Sequence, residues 1–241
     1  MGTNILVLAA GQMQVEGYGS SYPTCLTELD GLSLIERIVI NTREIADTNY
    51  TFALMDKEID SYHLDRVVKL LAPGSKIVRV PEGTRGSACT ALLAASQLKK
   101  NNSLLIISAN ELVDIDLSLA VNDFKENNLD GGTIIFRSIH PRYSYVKLND
   151  HGLVSEASQK NPISQNATAG VFWFKSTEEF IEAAKETIRK SVVIDGKYYV
   201  APIFNELLLK QRLVGVYQID KNKYRPLKTE RQLYNFESGI Q

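Results

Sequence analysis

Short apolar segments alternate with amphipathic segments along the first half of the chain. The apolar runs are rich in aliphatic side chains and have the length of buried strands. They are residues 4–9, 50–55, 76–80 and 103–108. Between them, apolar positions three or four residues apart predict helices. These are residues 33–45, 56–71, 86–98 and 117–127. The alternation is typical of βαβ units, which build a largely parallel sheet.

Two details refine the helices. Ile59, His63, Val67 and Leu71 lie four residues apart, so we expect one continuous helix that buries all four on a single face. Asp116 precedes the last predicted helix and is its expected N-cap.

The pattern changes in the second half. Four strands follow one another without a long helix between them, and an Asn-Asp-His-Gly turn at 149–152 predicts that two of them are antiparallel. These strands are residues 132–137, 145–148, 154–157 and 170–174. Helices over 176–190 and 200–210 and a strand over 214–218 complete the pattern. We expect a single α/β domain over 1–241, with a nucleotide-binding first half, 1–128, and a mixed second half, 129–241.

The overall composition indicates which kinds of binding partner and cellular location to expect. The 241 residues contain 27 Lys+Arg and 28 Asp+Glu, a formal net charge of −1, which argues against binding to nucleic acid or to an anionic membrane. The two cysteines, Cys25 and Cys89, are too few for a disulfide framework. The apolar run near the N-terminus is too short for a membrane span and has no Lys or Arg before it, so we expect a cytoplasmic protein.

The loop after the first strand is the first candidate site. It reads Leu8-Ala9-Ala10-Gly11-Gln12. A strand that runs into a turn of small residues lets backbone N–H groups approach an anion or a nucleotide base closely. Any βα turn in an α/β protein can contain Ala and Gly, however, so this loop does not identify a function by itself.

Three further segments follow in order. Residues 22–37 place Pro23-Thr24 before a turn and a helix, residues 82–92 form a Gly-rich segment that opens a helix, and residues 160–172 lead from Lys160 into the strand of Gly170. With the first loop, these segments resemble the sugar-phosphate nucleotidyltransferases, or sugar-nucleotide pyrophosphorylases. The resemblance runs from Ile5 to Phe236. It implies a Rossmann-like GT-A fold: a mixed, mostly parallel central sheet flanked by helices.

The resemblance also implies a function and site residues. The activity would be transfer of a nucleoside monophosphate from an NTP to a sugar phosphate, with release of pyrophosphate, in surface polysaccharide biosynthesis. The implied nucleotide-binding residues are Leu8, Ala9, Ala10, Gly11, Gln12, Gly83, Gly86, Ser87 and Thr90. The implied substrate-binding residues are Tyr145, Gln159, Lys160, Ala169 and Gly170. Mg²⁺ is the implied cofactor, and whether the chain forms a homo-oligomer stays open.

The chain departs from the family pattern where the triphosphate and metal would bind. No Arg follows Gly11, Thr24 takes the place of the phosphate-contacting Lys, and Asn110 takes the place of the metal-binding Asp. Glu111 is the nearest carboxylate that could replace that Asp as a metal ligand, although a strand would point it to the opposite face. Gln159 takes the place of the Glu in a Glu-Lys pair of which Lys160 remains. The family's C-terminal motif is replaced by 228–233.

A local charge count sharpens this departure. No Lys or Arg lies between Met1 and Glu36, whereas four acidic residues do. Cations or metal ions usually stabilise the charge that develops in phosphoryl transfer, so we expect weakened Mg²⁺ affinity and little preference for triphosphates over shorter phosphates. Arg85, beside Gly86 at a helix N-terminus, is a candidate replacement, although a solvated loop arginine is an equal alternative.

Three functional classes therefore remain. The first is an active nucleotidyltransferase, and the second is a catalytically impaired relative that binds a nucleotide or sugar and serves as a binding or regulatory protein. The third is a GT-A glycosyltransferase-like enzyme that would hold a metal with Asp114 and Asp116, although helix capping also explains Asp116. Trp173, in an apolar strand, is expected to lie in the core.

Overall fold

The computed structural model describes residues 2–11, 22–227, 232 and 234 of the chain. Within them, nine strands form one twisted sheet. They are β1 (Thr3–Leu8), β4 (Thr48–Met55), β5 (Lys76–Val80), β6 (Ser103–Ser108), β8 (Gly131–Arg137), β9 (Ser144–Leu148), β10 (Val154–Gln159), β11 (Asn166–Phe174) and β12 (Val214–Gln218). Two short pairs stand apart from it, β2 (Glu28–Leu29) with β3 (Leu32–Ser33), and β7 (Glu111–Val113) with β13 (Tyr224–Pro226).

The sheet order explains how the two halves join. The strands run β10-β9-β11-β6-β1-β4-β5, and β8 pairs with both β11 and β12. Strands β6, β1, β4 and β5 are parallel, whereas β11 is antiparallel to β6, and β9 to β10. Both the parallel first half and the antiparallel β9–β10 hairpin that the sequence predicts are confirmed, and one sheet contains strands from both halves.

Seven helices lie among the described residues. They are α1 (Leu34–Thr42), α2 (Asp56–Tyr62), α3 (Leu64–Leu71), α4 (Ser87–Ala95), α5 (Leu117–Glu126), α6 (Thr177–Arg189) and α7 (Ile203–Leu209). Three-residue 3-10 helices lie at Thr24–Leu26 and Lys221–Lys223. Ser33 and Glu36 form a capping box at α1, and the predicted cap Asp116 accepts a hydrogen bond from the Ser118 N–H at α5 (2.9 Å).

The prediction of one helix over 56–71 is wrong. The backbone breaks at His63, whose φ of 53° is left-handed, and the chain restarts as α3. His63 itself is exposed, and the buried positions after the break are Leu64 and Val68. A single left-handed residue shifts the helical register, so a face drawn at four-residue spacing across it does not exist.

Alternate side chains of the parallel strands enter two apolar layers. On one side, Ile5 and Val7 pack with α1, α3 and α5; on the other, Leu6 and Leu8 pack with α4, α6 and α7. Burial on both faces is the reason these strands read as continuous apolar runs. Trp173 lies in the first layer and is 1% exposed, as predicted for a core residue. None of the helices in the described part of the chain is long and apolar enough to cross a membrane.

Candidate functional site

The parallel ladder brings several predicted segments to one edge of the sheet. Leu8, at the end of β1, pairs with Ala53 on one side and Ser108 on the other, and β5 ends beside β4. The loops that leave these strands are 9–11, 81–86 and 109–110. Ligands of open α/β sheets bind outside the carboxyl ends of the strands, so this edge is the candidate site.

The first residues of the loop after β1 are fixed to the neighbouring strands. The Ala9 N–H donates to the carbonyl of Ala53 (2.9 Å), and the carbonyl of Leu8 accepts from the Ala109 N–H (2.9 Å). Leu8 and Ala9 are buried, Ala10 is half-buried and Gly11 is exposed. A side chain at position 11 would meet no atom of the described residues within 4 Å. Backbone at Ala10 and Gly11 is therefore accessible to a ligand, and Gln12 lies outside the described residues.

Asn110 and Gly170 approach this loop from the neighbouring strands. Strand β11 runs antiparallel to β6, with Val171 opposite Ile107, so Gly170 lies beside the end of β6. The backbone carbonyl of Asn110 accepts from the Leu227 N–H (2.9 Å), but its side-chain Oδ1 is buried and finds no hydrogen-bond donor among the described residues. An unpaired buried oxygen costs about 1–3 kcal/mol, so a ligand that donated to it would bind with that advantage.

Glu111 is held by packing. It is 5% exposed, and the Tyr224 hydroxyl of β13 donates to its Oε2. Gly170 has a φ of +68°, and a Cβ there would lie 2.1 Å from Glu111 Oε1, so the carboxylate packs directly against the glycine backbone. Burial, followed by the charge of Glu111, raises the pKa of Tyr224 well above its usual range. This arrangement argues against the predicted role of Glu111 as a metal ligand.

The Gly-rich segment before α4 has a close backbone contact. Gly86 has a φ of +99°, and a Cβ there would lie 2.3 Å from the carbonyl oxygen of Tyr198. That carbonyl accepts from the Ala88 N–H in the first turn of the helix (3.1 Å). Gly83 is exposed, Ser87 is half-buried and Thr90 is buried, with its hydroxyl donating to the Gly86 carbonyl (3.4 Å).

Arg85 is exposed, and its guanidinium contacts two residues of a distant stretch of the chain. Its Nη2 donates to the carbonyl of Gly196 (3.5 Å), and its guanidinium carbon lies 5.5 Å from the centroid of the Tyr198 ring. The backbone is tied as well, since the Tyr198 N–H donates to the Arg85 carbonyl (2.8 Å). Sequence reasoning missed residues 194–199, because nothing local in that stretch indicates a contact with a loop more than a hundred positions away.

Lys160, which follows β10, contacts the same stretch of the chain. Its Nζ forms an ion pair with Asp195 Oδ2 (2.6 Å) and lies 5.9 Å from the Tyr199 ring centroid. The hydrogen bond to Asp195 raises the pKa of Lys160 above its usual range, so the ammonium stays charged. The neighbouring Gln159 is half-buried and accepts a hydrogen bond from the Ser144 hydroxyl.

Two other predicted residues are buried. Tyr145 is 0% exposed and donates from its hydroxyl to the carbonyl of His140 (2.6 Å), which argues against the predicted substrate contact. Thr24, the predicted replacement for a phosphate-contacting Lys, is 6% exposed within the first 3-10 helix. Ala169 is also fully buried, so only its backbone is a candidate contact.

A second buried acid lies near Thr24. Glu58, in the first turn of α2, is 4% exposed, and its Oε2 finds no hydrogen-bond partner among the described residues. Burial raises its pKa to about 7, with a smaller opposing effect of Lys57. Its charge also contributes, after burial itself, to raising the pKa of the Cys25 thiol to about 12. Sequence reasoning missed Glu58, because a charged residue in a first helical turn usually faces solvent.

A resident metal does not fit the described residues of this edge. They contain no group of three or more His, Cys, Asp and Glu side chains that could hold an ion. Asn110 offers one neutral oxygen, and Glu111 is occupied by Tyr224. Mg²⁺ sites usually include at least one carboxylate. Asp116 is engaged at the N-cap of α5, which favours the helix-capping explanation for that residue.

Comparisons with known proteins identify the fold. No family model and no curated protein matches the sequence. Among solved structures, the nucleoside-diphosphate-sugar pyrophosphorylase from Vibrio cholerae RC9 matches with a TM-score of 0.80 and 19% identity, over 96% of this chain and 98% of that one. A UDP-glucose pyrophosphorylase complexed with UDP-glucose matches with a TM-score of 0.77 and 13% identity, over 99% and 98%.

A third match agrees with these two. The putative glucose-1-phosphate thymidylyltransferase from Bacillus anthracis has a TM-score of 0.74 and 16% identity, over 98% of this chain and 94% of that one. At such identities the likeness shows the fold. The chain therefore has the Rossmann-like α/β fold of nucleotidyltransferases, with a mostly parallel central sheet flanked by helices, as the sequence predicts.

Proposed function

We propose that this protein is a sugar-phosphate nucleotidyltransferase that joins the nucleoside monophosphate of an NTP to a sugar phosphate. The observation that carries the proposal is the meeting of three segments at one sheet edge: the open backbone of Ala10 and Gly11, the unpaired Oδ1 of Asn110 and the backbone of Gly170. This geometry belongs to a fold shared with pyrophosphorylases of nucleotide sugars.

Each segment has a place in the proposed reaction. Ala10 and Gly11 contact the nucleotide through backbone N–H groups, and Gly86 with Ser87 contacts the base. Lys160, with the backbone of Ala169 and Gly170, binds the sugar phosphate. An oxygen of that phosphate attacks the α-phosphorus of the NTP, the bond to the β-phosphate breaks, and pyrophosphate leaves with the electron pair. Arg85 is the proposed contact for the departing phosphates.

The proposed reaction has weak electrostatic support from the N-terminal part of the site. Residues 2–11 and 22–36 contain no Lys or Arg. The carboxylate next to Asn110 is that of Glu111, which already accepts a hydrogen bond from the Tyr224 hydroxyl. In this proposal Mg²⁺ arrives on the triphosphate as part of the substrate. The reaction rate then depends only weakly on the concentration of Mg²⁺. We expect a slow enzyme that separates triphosphates from diphosphates poorly in the absence of metal.

A catalytically impaired, ligand-binding protein is the second candidate. This candidate is favoured because the two side chains that would bind phosphate, those of Arg85 and Lys160, both contact residues 194–199 of the chain itself. A glycosyltransferase-like enzyme ranks below both, because Asp116 is engaged in capping α5.

Pyrophosphate release measured over the four NTPs and a panel of sugar 1-phosphates, with Mg²⁺ or Mn²⁺, tests the proposal. Turnover that disappears in Asn110→Ala but persists in Asn127→Ala would support it. Asn127 is an exposed asparagine at the end of α5 and serves as the matched control. Silence with every substrate pair, together with nucleotide binding seen by calorimetry, would support the binding protein instead.

The proposed setting is the supply of activated sugars for surface polysaccharide. Its test is the product itself: nucleotide sugars should accumulate when the protein is supplied with an NTP and the preferred sugar phosphate. The same substrates define the proposed partners, a nucleotide and a sugar phosphate, and a sedimentation measurement decides whether the active form is a homo-oligomer.

A further inference from the structure

A tight hairpin joins the two sides of the candidate site. Ile194 and Lys197 form a bridge with two backbone hydrogen bonds of 3.0 Å, and the turn between them is Asp195-Gly196. Both turn residues have positive φ, 49° and 73°, which is the backbone of a type I′ turn. We call residues 194–199 the 194–199 hairpin.

The oxygens of this hairpin contact three of the anion-attracting groups of the candidate site. Asp195 Oδ2 pairs with Lys160, the Gly196 carbonyl accepts from Arg85, and the Tyr198 carbonyl accepts from the Ala88 N–H in the first turn of α4. An ammonium, a guanidinium and a helix N-terminus are all groups that proteins use to bind phosphate. Here one segment of the chain supplies an oxygen to all three.

The hairpin has an anchored end and a loosely held tip. Tyr198 is buried and makes two backbone hydrogen bonds, with Arg85 and Ala88, of 2.8 and 3.1 Å. At the tip, the Asp195 side chain is 68% exposed and that of Lys160 is 41% exposed. An ion pair this exposed contributes little stability, and a carbonyl contact of 3.5 Å is weak, so the tip is the part that a competing anion displaces.

We propose that the tip of the 194–199 hairpin acts as a built-in competitor for phosphate, with Asp195 occupying Lys160 until a phosphate monoester takes its place. The inference rests on the proposed function only for the nature of the physiological ligand. Binding of the monoester moves the Asp195 carboxylate away from Lys160 and frees the Arg85 guanidinium from Gly196. Tyr198 stays in place and serves as the pivot.

The competition has a consequence for affinity. A phosphate dianion that approaches Lys160 meets the like charge of Asp195, which opposes binding until the carboxylate moves. Replacing Asp195 by Asn removes that charge and keeps a residue that tolerates a left-handed turn. The variant should therefore fold as the wild type does and bind phosphate more tightly.

The test is a titration with glucose 1-phosphate, and separately with inorganic phosphate, followed by the amide resonances of residues 195–199. We expect Asp195→Asn to bind about three- to tenfold tighter than the wild type, the effect of removing one partly screened charge. Asp60→Asn is the matched control, since Asp60 also pairs with a cation, Arg79, and its side chain is likewise 68% exposed. Its affinity should equal that of the wild type.

Hydrogen exchange adds a readout for the pivot. With ligand bound, the Ala88 and Tyr198 amides should keep their protection while the amide of Lys197 exchanges faster. Three results would overturn the proposal that the hairpin tip competes with phosphate. They are equal affinity of Asp195→Asn and wild type, equally tighter binding by Asp60→Asn, and no phosphate binding by any variant. Pyrophosphate release is measured on the same proteins. If pyrophosphate is released but Asp195→Asn binds phosphate no more tightly, only the proposed competition by the hairpin is refuted. If Asp195→Asn binds phosphate more tightly but no pyrophosphate is released, only the proposed nucleotidyltransferase activity is refuted.

Discussion

Two glutamates are buried at the carboxyl edge of this sheet, and their surroundings differ. Glu111 is 5% exposed and accepts a hydrogen bond from the Tyr224 hydroxyl, with its side chain against Gly170. Glu58 is 4% exposed, and its Oε2 has no hydrogen-bond partner among the described residues. The pKa of Glu58 is raised to about 7 by burial, opposed in part by Lys57.

The comparison shows that burial alone does not decide what a carboxyl group does. A buried carboxylate supplied with a donor serves as a structural acceptor, as Glu111 does between β7 and β13. A buried carboxyl group without a full set of donors becomes neutral near physiological pH, as Glu58 does, and makes the stability of its surroundings depend on pH. Glu111 and Glu58 are therefore almost equally buried, at 5% and 4% exposed, and yet have different roles.

The largest effect is expected at the glycine that packs on Glu111. Gly170→Ala introduces a Cβ 2.1 Å from Glu111 Oε1 at a φ of +68°. The left-handed backbone and the overlap should together lower the free energy of unfolding by about 3–4 kcal/mol. Urea unfolding followed by circular dichroism measures the loss.

A double-mutant cycle separates the two contributions. In the Glu111→Ala background the overlap is absent, so Gly170→Ala should cost only the backbone strain, about 1–2 kcal/mol. An equal loss in both backgrounds would mean that Glu111 does not pack against this glycine.

The next largest effect concerns Glu58 and pH. In the unfolded chain its carboxyl titrates near 4.5, and in the folded protein near 7, so the folded protein holds a proton that the unfolded chain has released between these values. The free energy of unfolding should therefore fall by about 2–3 kcal/mol as the pH rises from 4.5 to 7. Urea midpoints measured across this window report the fall.

Glu58→Gln provides the control for this titration. The amide does not ionise, so the variant should lose that part of the pH dependence while every other titrating group remains. A pH profile identical to that of the wild type would show that Glu58 is not the group responsible.

A smaller effect on the free energy of unfolding is expected from removing the hydroxyl that donates a hydrogen bond to Glu111; Glu58 Oε2 has no such donor among the described residues. Tyr224→Phe removes the hydroxyl that donates to Glu111 and leaves a buried carboxylate with one fewer partner. We expect a loss of about 2 kcal/mol in the free energy of unfolding. Tyr217→Phe, at a half-buried tyrosine of β12, should cost less, and equal losses in the two variants would contradict the importance of the hydrogen bond.

The smallest effect tests the neighbour of Glu58. Lys57→Met removes the positive charge that lowers the pKa of Glu58, so the pH at which stability is lost should move upward. The change in unfolding free energy at pH 8 should stay within about 0.5–1 kcal/mol, because Lys57 is exposed and its ion pair with Glu82 is a surface pair. Lys69→Met, in the last turn of α3, should leave the pH profile unchanged.

Much of the fold could be predicted because its information is local. The strand over 103–108 coincides with β6, because its apolar residues 104–107 are buried on both faces. The strand over 76–80 coincides with β5, in which Val78 and Val80 are buried although Lys76 and Arg79 are exposed. Helix α5 begins after the predicted cap Asp116. The short strands β7 and β13 were missed, because three residues carry no periodicity and their pairing joins segments more than a hundred positions apart.

The candidate site could be predicted only where it follows a strand end. Leu8–Gly11 and Asn110 lie at the edge that the parallel pattern implies. The partners of Arg85 and Lys160 were not predictable, since Asp195 and Tyr198 lie outside the four sequence segments that carry the resemblance. The burial of Tyr145 was missed because the adjacent Tyr145 and Val146 enter opposite apolar layers, and β9 is too short for its sequence to show that both of its faces are covered.

The pairing of β7 with β13 sets an order of events during synthesis. Tyr224 lies 113 residues after Glu111, so the ribosome adds all of these residues before the hydroxyl that donates to Glu111 exists. Until then β7 lacks its neighbouring strand, and the side chain of Glu111 lacks the hydroxyl that donates to it. A nascent chain stalled before Tyr224 would therefore be open to proteases and chaperones at this edge, and release of the finished protein would close it.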